Sequence, residues 1–271
     1  MSADVSVTSA RNRTLLVVGN LLWLAALVAA EGCSQATPPS AGSSPVPEVV
    51  QIKLSLSNVF LIRTARPVLI DGGSPKDLAA LTGALARNGL RTADIALVIL
   101  THAHSDHAGV AAALRGAGAK VALGQGDVEM ARAGHNDDLK PTGVTAFLLK
   151  HLIIDPHFTS FAPDIVVNDA LDLAPWGTGG RAIPMPGHTP GSLVVLLDDG
   201  RAFVGDMMAG GYMGGAISPQ RAGEHYCHAD RARDLENIKT VLKQPVKMFY
   251  LGHGDAVARE SVIARFATGT N

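Results

Sequence analysis

The chain has 271 residues, of which 47% are hydrophobic and 17% charged, and it carries a formal net charge of -1. Such a length buries a sizeable core in one large or two small domains, with the composition of an ordinary folded protein. The near-neutral balance gives no basic footprint, so no nucleic acid is expected as a partner.

The first fifty residues stand apart. Arg11 and Arg13 precede the apolar run TLLVVGNLLWLAALVAA, residues 14–30, which ends at AEGC. Basic, then apolar, then small residues is the order of an export signal. The run also lies at the lower edge of what spans a bilayer, which leaves an uncleaved anchor as the second reading and a buried core helix as the third. Ala30-Glu31-Gly32-Cys33 is similar to the lipobox of bacterial lipoproteins in its small residue before the cysteine, and departs from it at Ala30 and Glu31. Residues 1–33 are therefore expected to be a signal peptide or lipoprotein signal. The protein would be exported to the periplasm or cell envelope and touch the membrane only through an N-terminal signal anchor or a lipid on Cys33. Residues 34–47, SQATPPSAGSSPVP, have the composition of a flexible tether, which leaves residues 48–271 as the folded domain. Cys227 is the only other cysteine, so no disulfide framework is expected.

From Glu48 onward strands and helices alternate. VVQIKLSLSNVFLIRT and PVLIDGG are β-rich, and LAALTGALARNGL, residues 78–90, has helical periodicity before a glycine turn. IALVIL, residues 95–100, is a wholly apolar run expected to be a buried strand. GQGDVEMARAG suggests a short helix, while HNDDLKPTG and HLIIDPHFTSFAP suggest surface loops. AIPM, SLVVLLDD, RAFVGD and VKMFYLG are further strand candidates, DMMAGGYMGG is expected to be a loop, and residues 229–243 have the spacing of an amphipathic helix.

THAHSDHAG, residues 101–109, follows the buried strand and holds three of the chain's 10 histidines within six positions. In an extended segment residues two apart project to one side, so His102, His104 and Asp106 converge, and His107 joins them if the chain turns. Neutral imidazole and carboxylate are ligands of a zinc-type ion, and four such groups on one loop exceed what one closed site needs. Further candidates stand at later strand ends: His188 in PGHTPGS, Asp206 in FVGD and His253 in YLGHGD, separated from His107 onward by gaps of 81, 18 and 47 residues.

His-x-His-x-Asp-His, then PGHTPGS, then GD, then GHGD resembles the metallo-β-lactamase superfamily, over roughly residues 49–266. The resemblance implies an α/β fold, an αββα sandwich of two mixed β-sheets flanked by helices, with a binuclear metal site at one edge. It implies two Zn2+ ions, with manganese, iron or cobalt as alternatives for the same N/O donors. His102, His104 and His188 would hold one ion and Asp106, His107 and His253 the other, with Asp206 bridging. A metal-bound hydroxide would then attack a small-molecule substrate, and Asp106 would move the proton. The expected activity is hydrolysis of a lactone, ester or β-lactam-like amide. Bridging Asp206 resembles lactonases and glyoxalase-type thioesterases, whereas export favours a β-lactam substrate. The rival readings are a non-haem iron persulfide dioxygenase on the same scaffold and a non-catalytic envelope binding protein.

Other residues carry two readings each. Asp71 is either a turn cap before Gly72 or a residue supporting a metal ligand. Tyr212 is a candidate oxyanion donor, as a tyrosine is in related lactonases, with packing on the pocket wall as the plainer account. His225, Cys227 and His228 in EHYCH suggest a further metal site, with the plainer account a loop entering the helix of residues 229–243, where His228 or Asp230 caps it. His135, His151 and His157 are expected at the surface. Met207, Met208 and Met213 suggest an adaptable substrate wall or core packing.

Overall fold

In the computed structural model the described residues are 46–138, 140–144, 146–148 and 155–267. The leader, Cys33, most of the tether and His151 lie outside them. Five of the six residues of β2 (Asn58–Arg63) are buried, so this strand is covered on both faces and its alternation serves two cores. Phe60 and Ile62 face one way, Val59 and Leu61 the other.

The first sheet runs β1-β2-β3-β4-β5-β6, with β1 (Glu48–Lys53), β3 (Val68–Ile70), β4 (Leu97–Ile99), β5 (Lys120–Gly124) and β6 (Ile165–Val167) beside β2. β1, β2 and β3 pair antiparallel, and β3 to β6 pair parallel. The second sheet runs β14-β13-β10-β9-β8-β7. Its members are β7 (Leu171–Asp172), β8 (Gly180–Pro184), β9 (Leu193–Leu197), β10 (Arg201–Gly205), β13 (Met248–Leu251) and β14 (Val257–Ala258), with β10 and β13 parallel.

Between the sheets Phe60, Ile62, Ile70 and Ile99 meet Leu193, Val195, Leu197 and Phe203. Behind the first sheet, Leu61, Leu69 and Val98 pack on α1 (Leu78–Arg87) and α3 (Ala111–Gly116) through Leu81, Leu85 and Leu114. Behind the second, Val194, Val204 and Phe249 pack on α5 (Arg231–Leu242) and α6 (Arg259–Phe266) through Ile238, Val241 and Val262. The architecture is the αββα sandwich, each apolar run buried on both sides as its unbroken hydrophobicity requires.

Parallel strands leave the sheet at one edge, and the loops gather there. The exit of β4 carries residues 101–107; that of β3 carries Asp71; those of β10 and β13 carry Asp206 and His253. The two sheets are tied at this edge: the Leu193 amide donates to the Thr101 carbonyl at 2.7 Å, and the Asn58 amide of β2 to the Gly252 carbonyl at 2.8 Å.

Several local readings change. Residues 209–223 are not a loop: β11 (Ala209–Tyr212) and β12 (Ile217–Gly223) form an antiparallel hairpin, which its glycines obscure in the sequence. Met207 and Met208 are buried against Val246 and Leu251 rather than lining a substrate wall, while Met213 is exposed. Among the described residues no helix is long and apolar enough to cross a membrane.

Candidate metal centre

The chain turns after His104 into α2 (Ser105–Ala108), so Asp106 and His107 lie on a helical turn while His102 and His104 come from the extended segment before it. All four are buried, as are His188 and Asp206. Ligand atoms of His102, His104 and His188 lie within 4.8 Å of one another, as do those of Asp106, His107 and His253. Asp206 stands between the two groups: Oδ1 is 3.4 Å from His107 Nε2, while Oδ2 is 3.8 Å from His102 Nε2, 3.7 Å from His188 Nε2 and 3.3 Å from His253 Nε2. Asp106 Oδ2 is 3.7 Å from His107 Nε2 and 3.4 Å from His253 Nε2.

Each ring is aimed by a partner at its far nitrogen. His107 Nδ1 donates to Asp71 Oδ2 at 2.9 Å, and His102 Nδ1 to Thr101 Oγ1 at 3.1 Å, whose hydroxyl in turn donates to Asp71. His188 Nδ1 donates to the Cys227 carbonyl at 2.8 Å and His253 Nδ1 to the Leu56 carbonyl at 2.8 Å. His104 is turned round: Nε2 donates to Asp137 Oδ1 at 2.8 Å, which leaves Nδ1 facing His188 Nε2 at 3.1 Å. With the far nitrogens engaged, four Nε2 atoms and one Nδ1 converge on two carboxylates. His102 Nε2, His107 Nε2 and Asp206 Oδ1 are fully buried without a hydrogen-bond partner. Orphaned polar atoms in a packed interior are costly, and a set of inward-facing N and O donors of this kind fits zinc-type cations.

The charges agree with the geometry. Burial pushes the Asp106 carboxyl up, but His107 and His253 outweigh it and hold it at about 2. Burial acts likewise on Asp206, and His253, His107 and His225 hold it well below the carboxylate range. Burial lowers His253, yet Asp206 and Asp106 raise it to about 10, and His107 is raised for the same reason. His102 and His188 are driven well below the ordinary imidazole value by burial and by their neighbouring rings.

A family profile described as "Metallo-beta-lactamase superfamily" matches residues 52–253, most of the chain and all of the ligand set. The chain belongs to the metallo-beta-lactamase superfamily. Among individual relatives, the human "Metallo-beta-lactamase domain-containing protein 1" is 51% identical over 43 residues, 16% of each chain. A Drosophila melanogaster "Beta-lactamase-like protein 2 homolog" is 24% identical over 207 residues, 74% of this chain and 59% of the relative. The chain thus spans less than two thirds of the length of either. Among solved structures, the BLEG-1 B3 metallo-beta-lactamase superposes with a TM-score of 0.60 at 22% identity, covering 83% of this chain and 100% of that one. The family protein TTHA1429 from Thermus thermophilus gives 0.57 at 20% identity, covering 81% and 78%. At such identities the likeness is one of fold.

Within this superfamily chain the remaining candidates separate. Asp71 is the supporting residue, held in a left-handed conformation (φ 65°) that turns its carboxylate toward His107 and Thr101. Tyr212 sits on β11 with its ring about half exposed and the Arg221 guanidinium 6.0 Å above it, on the wall of a cavity of about 440 Å³ that His225 also lines. From the EHYCH segment, which lies in the loop before α5 as expected, the side chain that reaches Asp206 is His225, with Nε2 3.2 Å from Oδ2. Asp230 caps α5 by accepting from the Arg233 amide, and His228 instead bonds Asp234 at 2.6 Å. His135 and His157 are exposed and touch each other, ring centres 4.7 Å apart. Sequence reasoning missed Asp137, which lies within a polar run typical of surface loops, and it ranked a metal role for His225 below a loop placement, because the ring reaches the centre only as the chain doubles back along β12.

Proposed function

We propose that this domain is a binuclear zinc-dependent hydrolase that opens a small lactone, ester or β-lactam-like amide. The observation that carries the reading is the convergence of His102, His104 and His188 on one side of Asp206, and of Asp106, His107 and His253 on the other, with buried donor atoms left unpaired. Bound there, two zinc-type ions supply a water whose pKa falls to about 7 and a Lewis acid for the substrate carbonyl.

The chain's own groups do the rest. Asp106 and Asp206 stay ionised through neutral pH and offset the cationic charge. Asp106 is nine-tenths buried but keeps a partly open face next to His253, so one oxygen can take the proton of the attacking water and return it to the leaving atom. The side chains of Asp106, His225 and His253, 9%, 12% and 13% exposed, are where solvent reaches the centre. The cavity of about 440 Å³ beside His225, walled by Tyr212, Arg221 and Tyr226, is of a size for a small ligand. BLEG-1 is by name a B3 metallo-beta-lactamase, which together with the expected export signal supports keeping β-lactams among the candidate substrates. The leader and Cys33 support export and lipid anchoring, ahead of a tether and the catalytic domain from residue 48.

The test is hydrolysis of a lactone, an aryl ester, a thioester and a chromogenic β-lactam by the zinc-loaded protein and by Asp106→Asn. The reading expects turnover of at least one compound and a loss of about 100-fold or more in Asp106→Asn. Equal rates for the two proteins would contradict the role of Asp106, and inertness toward the whole panel would contradict the substrate class.

A further inference from the structure

We infer that His225 is an eighth metal ligand of this centre, a donor to the ion that His102, His104 and His188 hold. The inference rests on the metal-centre reading above and goes beyond its seven side chains.

His225 is placed against both halves of the site. Its ring meets His188 edge-on with centres 4.7 Å apart and stacks on His253 at 5.6 Å with 26° between planes. Its Nε2 is 3.2 Å from Asp206 Oδ2, closer to that oxygen than any of His102, His188 or His253. His188, Asp206 and His225 form a three-atom group within 4.8 Å, the same span as the two groups already described.

The ring is also aimed as a ligand would be. Its Nδ1 lies 3.1 Å from the Cys227 carbonyl and 3.3 Å from the Cys227 amide, and in the tautomer whose Nδ1–H donates to that carbonyl Nε2 presents a lone pair to the centre. That carbonyl also takes the Nδ1 proton of His188 at 2.8 Å, so one oxygen points two neighbouring rings inward. The backbone of His225 is held in turn: His228 spans the His225 carbonyl at 3.0 Å and the buried Asp234 carboxylate at 2.6 Å. In that tautomer a nitrogen lone pair and a carboxylate oxygen face each other at 3.2 Å, a repulsion that a shared cation would relieve. Zinc accepts a fifth donor, so His225 adds to His102, His104, His188 and Asp206 without displacing them.

The consequence is a centre whose ion on the His188 side is more fully enclosed by protein than seven ligands would make it. Cobalt titration of the full chain tests this, because cobalt d–d bands report its ligands directly. Wild type should take two cobalt ions. His225→Ala and the size-matched His225→Gln, each with wild-type circular dichroism, should bind one of them at least about 100-fold more weakly, with bands changed in position and intensity. A loss of that size exceeds the lower part of the about 10–100-fold range typical of residues that only orient a ligand, and the altered bands separate the two roles. Folded variants with wild-type affinity and wild-type bands would overturn the inference while leaving the hydrolase reading intact. Failure of wild type to bind cobalt would overturn both.

Discussion

Asp71 shows how much of the centre is decided one side chain away from the ligands. Its carboxylate takes the Nδ1 proton of His107 and two bonds from Thr101, which itself accepts from His102, so one residue sets the orientation of a ring in each half of the site. Asp71→Ala should weaken metal binding by about 10–100-fold, read by competition with a chromophoric chelator, with wild-type affinity as the contrary result. Protonation separates the two halves. His253, held at about 10, and His107, also raised, keep their protons at neutral pH in chelator-treated protein, and a metal must displace them. Affinity for the ion at Asp106, His107 and His253 should therefore climb as pH rises from about 6.5 toward 10, by up to about 100-fold per unit if both protons leave together. His102 and His188 lie well below neutral, so no such proton has to leave from them and the ion they hold should be nearly insensitive over the same range. Zinc competition at three pH values checks this, and parallel slopes for the two ions would contradict it. The candidate ligands that converge here were legible because each stands beside a short motif. Asp137 and His225 were not, since their approach to the site depends on loop and hairpin paths that no periodicity records.

At the scale of elements, Asp127 joins the loop after β4 to the loop before β9. It stands at the start of α4 (Val128–Ala133), is buried, and accepts from the Ala103 amide at 3.0 Å, the Thr189 hydroxyl at 2.8 Å and the Gly191 amide at 2.7 Å. The His102–His107 segment and the His188 turn are thereby fixed to each other. The turn must come this close, because a Cβ at Gly191 would fall against the Asp127 backbone amide. Asp127→Ala leaves the buried Ala103 and Gly191 amides without an acceptor, each at about 1–3 kcal/mol, while the Thr189 hydroxyl keeps Ser192 Oγ at 2.9 Å, so a loss of about 2 kcal/mol or more is expected in urea unfolding. A loss below about 1 kcal/mol would show that water or another group replaces the carboxylate. The strands and helices packed on the cores were legible from their unbroken or 3.6-residue hydrophobic patterns. The β11–β12 hairpin was not, because its strands hold glycines where apolar residues would announce it.

For the molecule as a whole, the sandwich makes the site by bringing two separate loop sets to one edge. His102 to His107 belong to the first sheet, His188, Asp206 and His253 to the second, and contacts such as Leu193 to Thr101 close the seam between them. Neither sheet alone carries a full set for either ion's surroundings, since Asp206 serves both groups from the second sheet. The packing of the two sheets thus sets the positions of the donor atoms in both groups. The resemblance in the sequence identified this arrangement because the ligands' order and their positions at strand ends follow from the topology. The cavity walled by Tyr212, Arg221 and Tyr226 was not legible in the same way, because its shape arises from tertiary contacts. The most direct test of the central claim is elemental analysis of protein purified without added metal and then dialysed against zinc. The account predicts two zinc ions per chain, falling when Asp206 is replaced by Ala because both groups lose a shared oxygen donor. A single iron per chain that zinc does not displace, with oxygen uptake in place of hydrolysis, would contradict it.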